Sequence, residues 1–380
     1  PRGYPCLAAR QPRHVRDTTM AHDTAPHSTT RSIGVIIANT GSPASPAPDD
    51  VEAYLGAYLM DPRIRQLPFF LWHLLVFKLI LPKRKFTSSR RYQFVWTEKG
   101  SPLVTNQELL CRKVQALFDG DRAGELPSVS VMSAMSYGEP SIASRLWQLH
   151  EKGCDQLILL PLYPQSAYCI TQSVVDSFSR ALRELGWNVP YQVIDHYFDN
   201  PLYICEVARH ITEAGFTNAS DEHLVLSFHA IPLKDERAGD SYRSQTRATA
   251  DLVARELGID PASIHVCYQS VFGPHEKSWA SPLAKNVLAG WRDESSRVYF
   301  CCPGFAVDCL ETIYDIAYEI VPALEGEGSK PVVERTGGSV ERGMNSSGRL
   351  IWVGCLNATD EHATIVKSAI DGALGRLAHS

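Results

Sequence analysis

The chemically loaded residues of this 380-residue chain gather just after short apolar runs. One run closes on Ser227-Phe228-His229-Ala230 and so ends on an imidazole, the side chain that titrates near neutrality. Another closes on Cys302-Pro303-Gly304-Phe305 and leads into Asp308-Cys309-Leu310-Glu311-Thr312. If a helix begins near Val307, then Glu311, Asp315 and Glu319 stand at i, i+4 and i+8 on one face, with Asp308 a turn earlier. Stacked carboxylates repel one another, by roughly 0.2–0.5 kcal/mol per exposed pair and by more when buried. Handling of metal ions or protons would justify that cost. A solvated acidic face, with Asp308 at the positive end of the helix, would explain the same spacing. Two more run ends, Asn39-Thr40-Gly41-Ser42-Pro43 and Pro161-Leu162-Tyr163-Pro164-Gln165, are tight and polar. Tyr137 and Trp279 fall at strand ends or loops and suit a flat apolar ligand, although each alone also fits ordinary packing.

The elements that must hold these residues are legible as an alternation. Eight β-branched-rich runs occur at 33–40, 128–135, 156–163, 189–197, 223–230, 264–270, 297–304 and 349–356. Most are continuously apolar, as strands buried on both faces should be. Helical periodicity fills 103–118, 141–153, 171–186, 241–258, 308–322 and 359–378. Such alternation predicts βαβ units and an α/β fold of two similar doubly wound halves, each with a parallel four-stranded sheet. Ligands then belong at the carboxyl ends of the strands, where the loaded residues lie. The Gly/Ser-rich stretch 335–348 reads as a flexible loop before the last strand.

Composition narrows the function. The chain carries 42 acidic and 37 basic residues, a net charge of −5, which argues against a nucleic-acid partner. Its 10 cysteines are scattered, with no CxxC and no zinc-ligand spacing, and this fits a protein of a reducing, cytoplasmic compartment. There is no GxGxxG, P-loop, GxSxG or HExxH. Residues 1–32 lack an apolar core and read as a disordered tail rather than a secretory signal. Phe69–Leu81 is the most apolar stretch, 13 residues that reach about 20 Å as a helix, short of the ~30 Å hydrocarbon core. With Lys78, Lys83, Arg84 and Lys85 beside it, this segment can dock on a membrane surface, line a cleft or form an ordinary buried helix.

Taken in order, the motifs resemble those of the ferrochelatases, which insert ferrous iron into porphyrin to make haem. The likeness runs from about residue 33 to 370 through GVIIANTGSP, YLMDPRIRQLP, ILPKRK, YQFVWTEKGSPL, MSYGEPSI, LILLPLYPQ, LSFHAIPLKDERAGDSYRSQ, VCYQSVFGP, CCPGFAVDCLETIYDI and CLNATDEH. It implies two Rossmann-like domains, 33–205 and 206–356, with a cleft between them and a C-terminal helix over 357–380. It implies His229 and Glu311 as the catalytic and metal-contacting pair, with the order of their roles open. Asp308, Asp315 and Glu319 would form a proton or metal relay. The porphyrin would meet Tyr137, Trp279 and Phe305, together with Leu67 and Trp72 from an apolar lip over 67–82. Porphyrin and ferrous iron are then substrates, and no resident cofactor is expected. Cys355 is the only cysteine after Cys309, so a [2Fe–2S] cluster is not expected either. Protoporphyrin is favoured over coproporphyrin by the resemblance alone, and docking at the inner face of a membrane would help to acquire it.

The sequence also departs from the family pattern. PQSAYCIT replaces a hydroxyl-richer loop, GDSY stands for GDPY, and Val271 occupies a usually basic position. Trp279 lies two residues further from Gly273 than is usual. Rival readings are a chelatase for another metal and tetrapyrrole, of the cobalt or sirohydrochlorin kind, and a non-catalytic porphyrin or haem carrier.

Overall fold

The computed structural model describes residues 31–65, 67–121, 128–271, 275–329, 331–336, 339–345 and 347–378, and structural statements refer to these. The expected tail therefore lies almost wholly outside the described residues, and the first strand already begins at Ser32.

Two sheets organise the chain. The first is built from β1 (Ser32–Gly41), β2 (Ser128–Tyr137), β3 (Gln156–Pro161) and β4 (Tyr191–Val193) in the order β2-β1-β3-β4, all parallel. The second contains β5 (Glu222–His229), β6 (Ile264–Gln269), β7 (Arg297–Cys301) and β10 (Leu350–Val353), parallel in the order β6-β5-β7-β10. It is extended by β9 (Ser339–Asn345) and β8 (Pro331–Thr336), an antiparallel pair on the β10 edge. The Gly/Ser-rich stretch is thus largely strand rather than a flexible loop: β10 offers an open edge, and backbone groups there are satisfied by pairing whatever the side chains. The central strands are apolar throughout because helices cover both faces, and Val35, Ile36 and Ile37 are wholly buried.

The helices are α1 (Pro48–Leu59), α2 (Phe69–Leu75), α3 (Leu81–Val95), α4 (Pro102–Gly120), α5 (Ile142–Glu151), α6 (Thr171–Leu185), α7 (Pro201–Glu213), α8 (Leu233–Arg237), α9 (Tyr242–Leu257), α10 (Ala284–Gly290), α11 (Val321–Glu325) and α12 (Asp360–Ala378). Helix α6 stops where Gly186 takes a left-handed conformation (φ 66°) and its N–H reaches the last-turn carbonyls. Two stretches, Val76–Ile80 and Glu311–Ile320, wind more widely as π-helix. The expected boundary between 205 and 206 cuts through α7. That helix is capped by Asn200 and buries Tyr203, Ile204, Val207 and Ile211 as one continuous face.

One apolar core runs across both halves, joining Val35 and Ile158 of the first sheet to Leu226 and Phe228 of the second. Helix α12 straps the halves together. Its Lys367 pairs with Asp121 at 2.9 Å, its Asp360 pairs with Lys113 at 2.7 Å, and its Ile370 and Ala373 are fully buried.

Candidate active site

The carboxyl ends of β1, β3, β5, β6 and β7 face a single cavity of about 480 Å³, within the usual range for small-molecule sites. The ends are loaded because the tight turns after them leave backbone and side chains pointing into the gap. Gly41 has φ 110°, and a Cβ there would run into the Tyr137 carbonyl, so the β1 turn needs glycine. From that turn Thr40 shares a 2.6 Å hydrogen bond with Tyr163 at the end of β3.

His229 ends β5 and lines the cavity. Its Nδ1 lies 2.6 Å from the Ala230 carbonyl, which can only accept, so Nδ1 is the donor and Nε2 is the nitrogen that carries the lone pair in the neutral ring. Across the sheet His229 is in register with Gln269 of β6. The Gln269 amide donates to the Glu311 carbonyl at 2.9 Å and accepts from Ser227 at 2.7 Å, so one buried side chain ties the histidine strand to the acidic helix.

Glu311, Asp315 and Glu319 all line the cavity, as their spacing predicts, but along a π-helix. Asp315 is buried, with its side chain 8% exposed, whereas Glu319 is exposed. Ser270 donates to Asp315 Oδ2 at 2.6 Å from a left-handed backbone (φ 63°), a strained conformation for serine. Asp315 Oδ1 is buried without a hydrogen bond. Burial, and next the neighbouring Glu311, push the Asp315 carboxyl up to about 7.

Asp308 is not part of this row. It is fully buried and does not border the cavity; Thr312 donates to Oδ1 at 3.0 Å and Asn357 donates to Oδ2 at 3.0 Å. Asn357 also accepts from the Asp308 N–H and from Asn106 of α4, so Asp308 fixes the segment after β7 to the rest of the molecule. The structure places Asp308 behind the cavity wall as an anchor, apart from Glu311, Asp315 and Glu319.

Trp279 and Phe305 line the cavity, and Phe305 stands 6.3 Å from the His229 ring. Three other aromatic or apolar expectations need correction. Tyr137 sits behind the wall, donating to Asp61 at 2.6 Å and packing edge-on against Tyr58 at 5.5 Å; Tyr58 is the ring that reaches the cavity. Trp72 turns inward, and its indole donates to the Leu59 carbonyl at 2.6 Å. Leu67 is 46% exposed and does not line the cavity. A segment apolar on every side gives no clue to which face packs, and here Trp72 and Val76 pack while Phe70 and Leu79 face outward.

Helices α1 and α3 also contribute Tyr54, Tyr58, Arg84, Arg91 and Tyr92 to the walls, residues that no motif in the sequence singles out. Their aromatic i, i+4 spacing in α1 was the available signal. Burial pushes all three tyrosine hydroxyls up, keeping them neutral donors.

The site combines an imidazole of fixed tautomer, a row of carboxylates and flat aromatic walls within a two-sheet α/β frame. That defines an enzyme able to take protons and a cation at the face of a flat apolar ligand. The ferrochelatase family model matches residues 32–335. Curated ferrochelatases align along most of their length. That of Nitrosococcus oceani is 34% identical over 80% of this chain and 85% of its own. That of Actinobacillus pleuropneumoniae is 38% identical over 76% and 88%, and that of Haemophilus influenzae is 36% identical over 78% and 93%. Among solved structures, SirB from Bacillus subtilis with Fe3+ covers 72% of this chain at 11% identity, with a TM-score of 0.47, and adds nothing to the topology above. The chain belongs to the ferrochelatase family.

Proposed function

We propose that His229 and Glu311 are the working pair of an enzyme that inserts Fe2+ into protoporphyrin IX. The reaction exchanges two pyrrole protons of the porphyrin for one ferrous ion, the last step in making haem. His229 Nε2 accepts a pyrrole proton, because Nδ1 is already committed to the Ala230 carbonyl. Glu311 and Asp315 receive the metal and pass the second proton outward toward the exposed Glu319. Trp279, Phe305 and Tyr58 hold the macrocycle, and Arg84 and Lys234 on the same walls suit its carboxylate arms. Bending the ring to present its nitrogens draws on this remote binding energy. Iron enters and stays ferrous, so the step needs no resident redox centre or cluster.

The observation that carries the reading is the His229 imidazole and the helical row Glu311, Asp315 and Glu319 sharing a single aromatic-walled cavity. We further propose peripheral docking at the inner, cytoplasmic face of a membrane. Phe69, Phe70, Leu71, Leu74 and Leu79 are all more than half exposed beside Lys78 and Lys83. No helix among the described residues is long and apolar enough to cross a membrane. The test is anaerobic incubation with Fe2+ and either protoporphyrin or coproporphyrin, following loss of porphyrin fluorescence. Faster turnover of protoporphyrin is expected; failure with both would overturn the activity, and preference for coproporphyrin would overturn the substrate.

A further inference from the structure

Beside the carboxylate row stands a cation that the reaction does not consume. Arg91 of α3 brings Nη1 to 3.8 Å from Asp315 Oδ1, beyond hydrogen-bonding reach. Its guanidinium lies instead over the Tyr314 ring, 5.1 Å from the centroid, and Tyr314 is stacked on Tyr318 at 4.4 Å. The arginine side chain is 41% exposed, free to move outward, whereas the carboxylate it faces is 8% exposed. Asp315 Oδ2 is engaged by Ser270, and Oδ1 is the oxygen left without a hydrogen bond. Glu311 and Glu319 flank it on the same helix, and from the β6 side the residue after Ser270 is Val271, which brings no charge.

We propose that Arg91 is a displaceable counter-cation for Asp315: it balances the buried carboxylate while the site is empty, gives way to an entering divalent ion, and then competes that ion off toward the porphyrin. This rests on the reading of Glu311 and Asp315 as the metal's route. Two adjacent carboxylates with no cation beside them would hold a divalent ion tightly, and a chelatase must hand its metal on. An aromatic ring holds a guanidinium weakly at a half-exposed site, so Arg91 is kept close without being locked. Arg91 is therefore a positioning residue that acts through Asp315, and its signature is opposite movement of metal affinity and turnover.

The experiment measures KM for Zn2+ and kcat with protoporphyrin for the wild type, Arg91→Met, Arg91→Gln and Arg91→Lys, with thermal unfolding recorded on the same samples. Loss of the charge in Met or Gln should lower KM for Zn2+ by about three- to tenfold, the scale of a partly exposed ion pair. It should lower kcat by a similar factor, and Lys should stay near wild type. Gln keeps a polar, uncharged end, so the outcome does not depend on one variant folding. An unchanged or raised KM in the uncharged variants would overturn the inference, as would a Lys variant indistinguishable from them. A wild type that inserts no Zn2+ or Fe2+ would instead overturn the reading of the site itself.

Discussion

Gln269 shows how much of the site depends on a residue that never meets substrate. It is 4% exposed and holds the Glu311 carbonyl and the Ser227 hydroxyl at once, opposite His229 in the sheet. Gln269→Leu keeps the size of the side chain but strands two buried polar partners, at a cost of about 1–3 kcal/mol. Outer partners that orient reactive groups are worth on the order of 10–100-fold in activity. The variant should lose activity by that factor with porphyrin affinity little changed; equal loss of both would mean the pocket had collapsed instead. His229, Glu311, Asp315, Glu319, Trp279 and Phe305 were legible because strand ends and helical spacing are local signals. Tyr137, Trp72, Leu67 and Asp308 were misplaced because burial behind a wall, the choice of a packing face, and capture by Asn357 from 49 positions away are tertiary facts.

At the scale of elements, the parallel strands announced themselves, since burial on both faces demands unbroken apolar runs. The β8–β9 pair did not, because it is held by an edge of β10 rather than by its own Gly/Ser-rich residues. Nor did the π-helix: the acidic spacing is compatible with either winding, and only the backbone pattern separates them. Helix α12 carries a testable pH dependence. His362 is wholly buried, its Nδ1 donates to the Asn357 carbonyl, and burial lowers its pKa from the ordinary 6.5 to about 4. Between these values the unfolded chain binds a proton that the folded chain refuses. The stability tied to neutral His362 is therefore complete above pH 6.5 and lost as pH falls toward 4. At 1.36 kcal/mol per pKa unit, a depression of this size corresponds to about 3 kcal/mol as an order of magnitude. Urea denaturation of wild type and His362→Gln should show their stability difference shrinking by about that amount from pH 7 to pH 4. A constant difference would show that His362 protonates without penalty.

For the whole molecule, two sheets whose carboxyl ends face one cavity explain why so many distant segments contribute to one site. The apolar segment after Pro68 presents part of its surface to the outside. Phe70 is 77% exposed and Leu79 is 65% exposed, the kind of apolar surface that marks an interaction site. Replacing both with Asp should weaken co-sedimentation with phosphatidylglycerol vesicles by about tenfold or more, given what a buried aromatic and aliphatic pair contributes. Turnover of detergent-dispersed porphyrin should be unaffected, since neither side chain borders the cavity. Undiminished vesicle binding would remove this face as the docking surface.

The central claim is that a single imidazole of fixed tautomer takes a pyrrole proton while the carboxylates receive the metal. The direct measurement follows His229→Ala beside wild type under anaerobic conditions, titrating protoporphyrin by fluorescence and timing Fe2+ insertion in the same samples. The account predicts porphyrin affinity within about threefold of wild type, because the aromatic walls remain, and insertion slowed by at least about 100-fold, the contribution of a positioned base. Insertion at a near-normal rate in that variant would contradict it.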